Sequence, residues 1–161
     1  MALIKDRQLV DDTFRRLDEG AAVPSESDVL VRLGHYCAAA DQFRNRRGRT
    51  GVLVGPENTA AELTPHLDQL ALIAVEFPKY TDGRGYSLAR RLRRQHDYRG
   101  ELRAVGDVLR DQLQYMQRCG FDAFELKAGK DAEGALEAFG ELTVAYQGSA
   151  DDPRPLFRRA L

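Results

Sequence analysis

The sequence contains few of the residues from which metal and redox sites are built. Its 161 residues include two cysteines and three histidines. Cys37 and Cys119 form no C-x-x-C pair, and no histidine stands at a metal-ligand spacing from either of them. We therefore expect no structural zinc, no iron–sulfur cluster, no dithiol redox centre and no bound cofactor.

Long apolar runs are also absent. The longest uninterrupted one, residues 70–75, is far shorter than the roughly 20 residues needed to cross a bilayer. Residues 1–10 carry charges where a signal peptide would need an apolar block. The sequence therefore predicts a cytoplasmic protein with no membrane contact.

The sequence also has no large excess of positive or negative charge. The 24 basic and 25 acidic residues give a formal net charge of −1, so no global field attracts nucleic acid. Nucleotide motifs are missing too, because the pattern G-x-G-x-x-G would require glycine where Leu88 stands, and no P-loop pattern occurs. Nucleic acid is not an expected partner.

Alternating strand-like and helix-like segments make up most of the chain, which favours an α/β fold. Residues 1–147 are predicted to form a single domain with an N-terminal arm, and residues 148–161 an irregular C-terminal tail. We predict strands at 29–33, 50–54, 70–77, 101–105 and 121–126, helices at 35–46, 59–67, 83–96, 107–119 and 131–146, and a hairpin arm at 3–10. This order predicts a short, mainly parallel sheet, either open or part of a β/α barrel.

The loop and helix start at residues 77–86 are the first candidate site, because ligands bind outside the carboxyl ends of parallel strands. Glycines here allow close approach of a ligand to the backbone, and an arginine donor suits a carboxylate, sulfate or phosphate. The predicted ligand-binding residues are Lys79, Asp82, Gly83, Arg84, Gly85 and Tyr86. The alternative is structural, with Asp82 capping the helix and the glycines shaping the turn.

Glu76, Asp107 and Lys127 form a second candidate set, because each stands near the carboxyl end of a predicted strand. If the three converge, they are candidates for acid–base catalysis. In the alternative, Asp107 is a helix N-cap and Glu76 pairs with Lys79, Lys127 or an arginine. No metal site is predicted.

The helix at 83–96 is strongly basic on the positions that its apolar residues leave free. Arg90, Arg91, Arg93 and Arg94 occupy these positions. They could contact phosphates, but a charged, solvated helix face is the commoner explanation for such a pattern.

The cysteines are predicted to be structural. Cys119 falls near the line of the apolar residues Leu109, Leu113 and Met116, and a free cysteine there is usually a small core residue. Cys37, beside three alanines, is expected to have the same role.

Three segments, residues 77–90, 100–112 and 118–124, resemble an uncharacterised bacterial family of small proteins. Members are often encoded beside assimilatory sulfite reductase and phosphoadenylylsulfate reductase, and some are labelled oxidoreductase. The resemblance covers most of the chain and is densest at residues 70–126. It implies a role in sulfur assimilation, and it carries over no catalytic residues, since none are established for the family.

Two function classes follow from the resemblance and the candidate residues. In the first, the protein is an accessory of sulfate and sulfite assimilation that binds a pathway enzyme, with an anion site at residues 77–86. In the second, it is a small enzyme that acts on an anionic, sulfur-containing substrate with Glu76, Arg84 and Asp107. We favour the first, because no residue pattern requires catalysis.

Overall fold

A single mixed sheet organises the protein. The structure, a computed structural model, describes residues 2–158. Met1 of the predicted domain and residues 159–161 of the predicted tail lie outside the described residues. The strands are β1 (Ala2–Lys5), β2 (Gln8–Val10), β3 (Arg15–Arg16), β4 (Val29–Arg32), β5 (Thr50–Val54), β6 (Leu72–Phe77), β7 (Glu101–Gly106) and β8 (Ala123–Leu126).

The strand order is β2-β1-β8-β7-β6-β5-β4-β3. From β3 to β8 neighbouring strands run parallel, whereas β1 pairs antiparallel with both β2 and β8. The prediction of a short, mainly parallel sheet is therefore wrong, because the sheet is mixed and has eight strands in the described part of the chain. The predicted arm at residues 3–10 is a hairpin that completes the sheet, since β1 forms a ladder with β8.

Helices fill the crossovers between the parallel strands from β4 onward, and a last helix follows β8. They are α1 (Leu33–Ala38), α2 (Ala40–Arg44), α3 (Ala60–Leu63), α4 (Arg84–Arg94), α5 (Leu113–Cys119) and α6 (Ala132–Glu137). Short 3₁₀ helices cover Thr64–Gln69, Arg110–Gln112, Ala138–Gly140 and Leu156–Arg158. Because successive parallel strands lie side by side in chain order, right-handed crossovers place their helices on one face of the sheet.

The sheet curls strongly, and the chain connectivity explains why. β2 and β3 lie at opposite edges of the sheet, yet only residues 11–14 connect them. In a flat sheet the two edges would be about 34 Å apart, since neighbouring strands are ~4.8 Å apart. The connection can span at most about 18 Å. The sheet is therefore an open, curled half-barrel.

The two faces of the half-barrel differ in composition. The convex face carries the helices and the larger apolar core, which includes Ile4, Val31, Val52, Ile73, Val75, Leu102 and Phe124. The concave face has a smaller apolar cluster made of Phe14, Leu30, Leu53, Leu72, Ala74 and Val105. Strand residues alternate between the faces, so the inward positions of β7 and β8 also carry charged side chains.

Two predicted helices have other boundaries in the structure. The helix predicted at 131–146 ends at Glu137 and continues only as a 3₁₀ turn to Gly140. The helix predicted at 107–119 begins with a 3₁₀ turn at Arg110. It ends as expected at Gly120, whose φ of 117° lies in the left-handed region that favours glycine. No helix within residues 2–158 has the length and apolar character that a membrane span requires.

Candidate functional site

The carboxyl ends of β6, β7 and β8 are joined by one carboxylate. Gly106 ends β7 with a φ of 94°, and a Cβ atom there would lie 2.5 Å from the carbonyl oxygen of Phe77. This close approach lets the amide of Asp107 donate a hydrogen bond to the same oxygen at 2.7 Å. Glycine is therefore required at the turn that places Asp107 over the end of the sheet.

Asp107 binds the segments that follow both neighbouring strands. Its carboxylate accepts a hydrogen bond from the Tyr80 amide at 3.1 Å and another from Lys127 Nζ at 2.9 Å. The hydrogen bond from Lys127, followed by the one from Tyr80, lowers the pKa of Asp107. A carboxylate with a lowered pKa is a weak base near neutral pH, so this arrangement favours a binding or structural role over proton transfer.

Asp107 is not a helix N-cap, because the nearest helical turn begins three residues later at Arg110. The sequence prediction was that Glu76, Asp107 and Lys127 converge, and of these three Asp107 and Lys127 form an ion pair. Glu76 has a different partner. Its Oε2 lies 3.3 Å from Nη1 of Arg32 on β4, so it pairs with an arginine, as the alternative prediction stated.

In the loop at residues 77–86, Arg84 forms an ion pair with Asp82. Asp82 Oδ1 accepts hydrogen bonds from the backbone amide and Nε of Arg84, at 3.1 and 3.0 Å, and Asp82 Oδ2 accepts one from Nη2 at 2.7 Å. The hydrogen bonds from Arg84 lower the pKa of Asp82. An anion that binds at Arg84 must therefore compete with this carboxylate.

The remaining predicted ligand-binding residues divide into an exposed group and an inward-facing group. Lys79 and Gly83 are exposed on the loop. Gly85 is buried, and a Cβ there would lie 2.6 Å from Cζ of Phe77, so this glycine allows α4 to pack closely on β6. Tyr86 lies between Phe77 and Tyr115, with ring centroids 5.4 Å from each. Burial raises the pKa of Tyr86 to about 12.

The concave face carries charged pairs that the sequence analysis did not identify. Arg103 is 1% exposed, and its guanidinium contacts the carboxylates of Asp12 and Glu101, each at 2.7 Å. Nearer the carboxyl ends of the strands, Arg16 Nη2 lies 2.8 Å from Glu125 Oε1. The available signal was the alternation of charged and apolar residues at the start of β7 and the single charge within the otherwise apolar β8.

The two cysteines have different environments. Cys119 is buried, as predicted, and burial raises its pKa. Cys37 is exposed, so the prediction that it is a core residue is wrong. It lies on the outer side of α1, where its Sγ is 3.9 Å from Nε2 of His66. Within residues 2–158, no group of three or more His, Cys, Asp or Glu side chains is arranged to hold a metal ion.

An apolar surface lies beside a groove formed by α5 and the segment that follows α6. Tyr115 is 56% exposed, Leu142 71% and Val144 63%. These three residues, which we call the C-terminal apolar surface, line a groove of about 420 Å³. The side-chain amide of Gln114 donates to the carbonyl of Leu142, and this bond holds the segment against α5.

A bacterial protein family of unknown function, DUF934, matches residues 51–157. The match extends from β5 into the last 3₁₀ helix and leaves out β1 to β4. No curated protein matches the chain.

Proposed function

The chain belongs to the bacterial family of unknown function DUF934, and we propose that it is a cytoplasmic accessory protein of sulfate and sulfite assimilation that acts by binding a partner protein. The pathway is suggested by the resemblance to proteins encoded beside assimilatory sulfite reductase. The mode of action is suggested by the surface of the protein and by the charge pairing at its candidate site.

The main support for partner binding is the exposure of the C-terminal apolar surface. Tyr115, Leu142 and Val144 are each more than half exposed, and all three line the same groove. Large apolar side chains that are exposed together along one groove are costly to leave in water, and polar residues such as Arg7, Gln117 and Arg118 also line this groove, as at the rim of many protein-binding surfaces. A partner that covered this surface would remove that cost.

Charge pairing favours a binding role over catalysis. Arg84 is held by Asp82, Glu76 by Arg32, and Asp107 by Lys127. A small enzyme that used Glu76, Arg84 and Asp107 on an anionic sulfur substrate would have to open all three pairs before or during the reaction. A binding protein has no such requirement, and the Asp107–Lys127 pair then serves to hold the strand ends together.

The direct test is binding of the purified protein to assimilatory sulfite reductase and to phosphoadenylylsulfate reductase from the same bacterium, measured by analytical ultracentrifugation. We expect a complex with one of them. Leu142→Asp should weaken it by about tenfold or more, since a central apolar contact contributes 1–2 kcal/mol or more. Leu9→Asp is the matched control, because Leu9 is an exposed leucine on β2.

A genetic test addresses the pathway. Deletion of the gene should slow growth on sulfate or sulfite as the only sulfur source, and cysteine should restore it. Absence of binding to either reductase would contradict the partner-binding proposal. Normal growth of the deletion strain on sulfate would contradict the pathway assignment.

A further inference from the structure

The four arginines in the second half of α4, Arg90, Arg91, Arg93 and Arg94, do not share one role. Arg93 turns inward, where its guanidinium donates hydrogen bonds to the carbonyls of Tyr98, Gly100 and Gly120 at 2.6, 2.8 and 2.9 Å. It also forms a 2.6 Å ion pair with Asp122. Arg93 therefore joins α4 to the turns that precede β7 and β8, and it is a structural residue.

The other three arginines are exposed and lack carboxylate partners. Among residues 2–158, the side chains of Arg90, Arg91 and Arg94 form no hydrogen bond and no ion pair. Most arginines elsewhere in the same part of the chain do pair with a carboxylate, even highly exposed ones such as Arg47 and Arg99. Unpaired guanidinium groups are thus concentrated on one helix face, which we call the arginine stripe.

The arginine stripe borders a basic concavity that continues into an apolar cleft. Ser87, Arg90, Arg91, Arg94 and Gln95 line the concavity, which has a volume of about 460 Å³. Arg91 and Gln95 also line a neighbouring cleft of about 500 Å³ between α3 and α4. The wall of this α3–α4 cleft on the α3 side includes Ala60, Ala61 and Pro65.

We infer that the arginine stripe and the α3–α4 cleft together bind an acidic segment of a partner protein, with one apolar side chain of that segment in the cleft. The inference rests on the proposed function, because it names the chemistry of the partner. Guanidinium groups bind carboxylates through paired hydrogen bonds, so the stripe fits a segment with several Asp or Glu residues. The cleft supplies the apolar contact that charge alone lacks.

The same features disfavour nucleic acid as the occupant. The phosphate groups of a nucleic acid would pair with the guanidinium groups of the stripe, but they would leave the apolar wall of the cleft exposed to water. The formal net charge of −1 includes the three arginines of the stripe, so the rest of the chain carries a net charge of −4, which repels a long polyanion. A short acidic segment contacts only the stripe and the cleft, and so avoids this repulsion.

The test uses a fluorescently labelled peptide with four glutamates around a central leucine, titrated with the full-length protein. We expect R90E/R91E/R94E to weaken binding at least tenfold. The matched control is R47E/R99E/R158E, which changes the net charge equally at exposed arginines outside the stripe, and it should change binding by less than about twofold. Thermal unfolding followed by circular dichroism establishes that both variants are folded.

Any of four results would overturn the inference. The first three are equal binding by the stripe variant and the wild type, equal affinity for a peptide in which serine replaces the leucine, and tighter binding of a DNA duplex of matched charge. Raising the salt concentration should weaken the wild-type complex with the glutamate peptide, because the contacts are exposed ion pairs. The fourth result that would contradict the inference is binding that does not change with salt concentration.

Failure of this inference is distinguishable from failure of the proposed function. If R90E/R91E/R94E binds a sulfur-assimilation reductase as well as the wild type does, the stripe inference is wrong and the accessory function stands. If the wild type binds neither reductase, the accessory function fails. The peptide titration then decides by itself whether the stripe recognises acidic segments.

Discussion

The guanidinium of Arg16 on β3 lies 2.8 Å from the carboxylate of Glu125 on β8, although four strands separate β3 from β8 in the sheet. In a flat sheet these strands would be about 24 Å apart. The ion pair is therefore direct evidence of the curl, and it crosses the concave face. Asp12 and Arg103 form a second pair across the same face, from the connection between β2 and β3 to β7.

Arg103→Met should destabilise the protein by up to about 3 kcal/mol, because it leaves Asp12 without its partner and leaves Glu101 paired only with Lys5. Urea unfolding followed by circular dichroism measures the change. Arg99→Met is the control, since Arg99 pairs with Asp97 on the open surface and should cost less than about 1 kcal/mol. Equal effects of the two substitutions would show that the ion pairs of Arg103 do not stabilise the curled sheet.

The sequence predicted the elements whose pattern is local. β5 is found at the predicted residues, and β6, β7 and α4 differ by one or two residues at their ends, because an apolar run or a helical repeat of apolar residues specifies each. The pairing of β1 with β8 joins residues more than 100 positions apart, and no local pattern encodes it. The curl likewise follows only once the strand order is known.

For the candidate site, the sequence likewise predicted the contact between neighbouring strand ends but not the contacts that depend on the curvature of the sheet. The carboxyl-end rule identified Asp107 and Lys127, and the structure places them in contact. It could not identify Arg32 as the partner of Glu76, because β4 and β6 are separated by β5 and the contact depends on the curvature of the sheet. The roles of Gly85 and Tyr86 depend on which face of α4 contacts β6, which the loop sequence alone does not reveal.

Gly85→Ala should destabilise the protein by about 1–3 kcal/mol, because the added methyl group would lie 2.6 Å from Cζ of Phe77 in a packed interface. Gly34→Ala in α1 is the matched control. Gly34 is exposed, with no atom within 4 Å of an added Cβ, and alanine there should leave stability unchanged or raise it by up to ~1 kcal/mol. Urea unfolding of both variants makes the comparison. A Gly85→Ala protein as stable as the wild type would mean that α4 does not pack tightly on β6.

Tyr86 should ionise well above the pH at which an exposed tyrosine does. Burial raises its pKa from 10.0 to about 12 in the folded protein, so between these values the unfolded chain loses a proton that the folded chain keeps. The stabilising contribution is therefore complete below about pH 10 and is lost as the pH rises toward 12. Absorbance at the tyrosinate band follows the titration, and Tyr86→Phe should remove one late-ionising group. Loss of an early-ionising group instead would contradict burial of the Tyr86 hydroxyl.

The two thiols should react at different rates. Cys37 is exposed, whereas Cys119 is buried and has a raised pKa, so a thiol reagent should modify Cys37 in the native protein and Cys119 only after unfolding. Cys37→Ala should remove the fast reaction, and Cys119→Ala should leave it unchanged. We also expect each variant to support growth on sulfate. Loss of growth with a stably folded Cys119→Ala protein would show that this thiol takes part in chemistry.

The final prediction concerns anion binding at residues 77–86, where Asp82 and Arg84 form a local ion pair. If this loop binds anions, sulfate, sulfite or phosphate must displace the Asp82 carboxylate from the guanidinium of Arg84. Asp82→Asn removes the competing charge and keeps a side chain of similar size, so it should bind these anions more tightly than the wild type. Arg84→Ala removes the donor and should bind them more weakly. Isothermal titration at low salt compares the three proteins, since exposed ion pairs weaken as salt rises. If Asp82→Asn and Arg84→Ala bind equally, Arg84 is not an anion ligand, and its role is confined to fixing the start of α4 through Asp82.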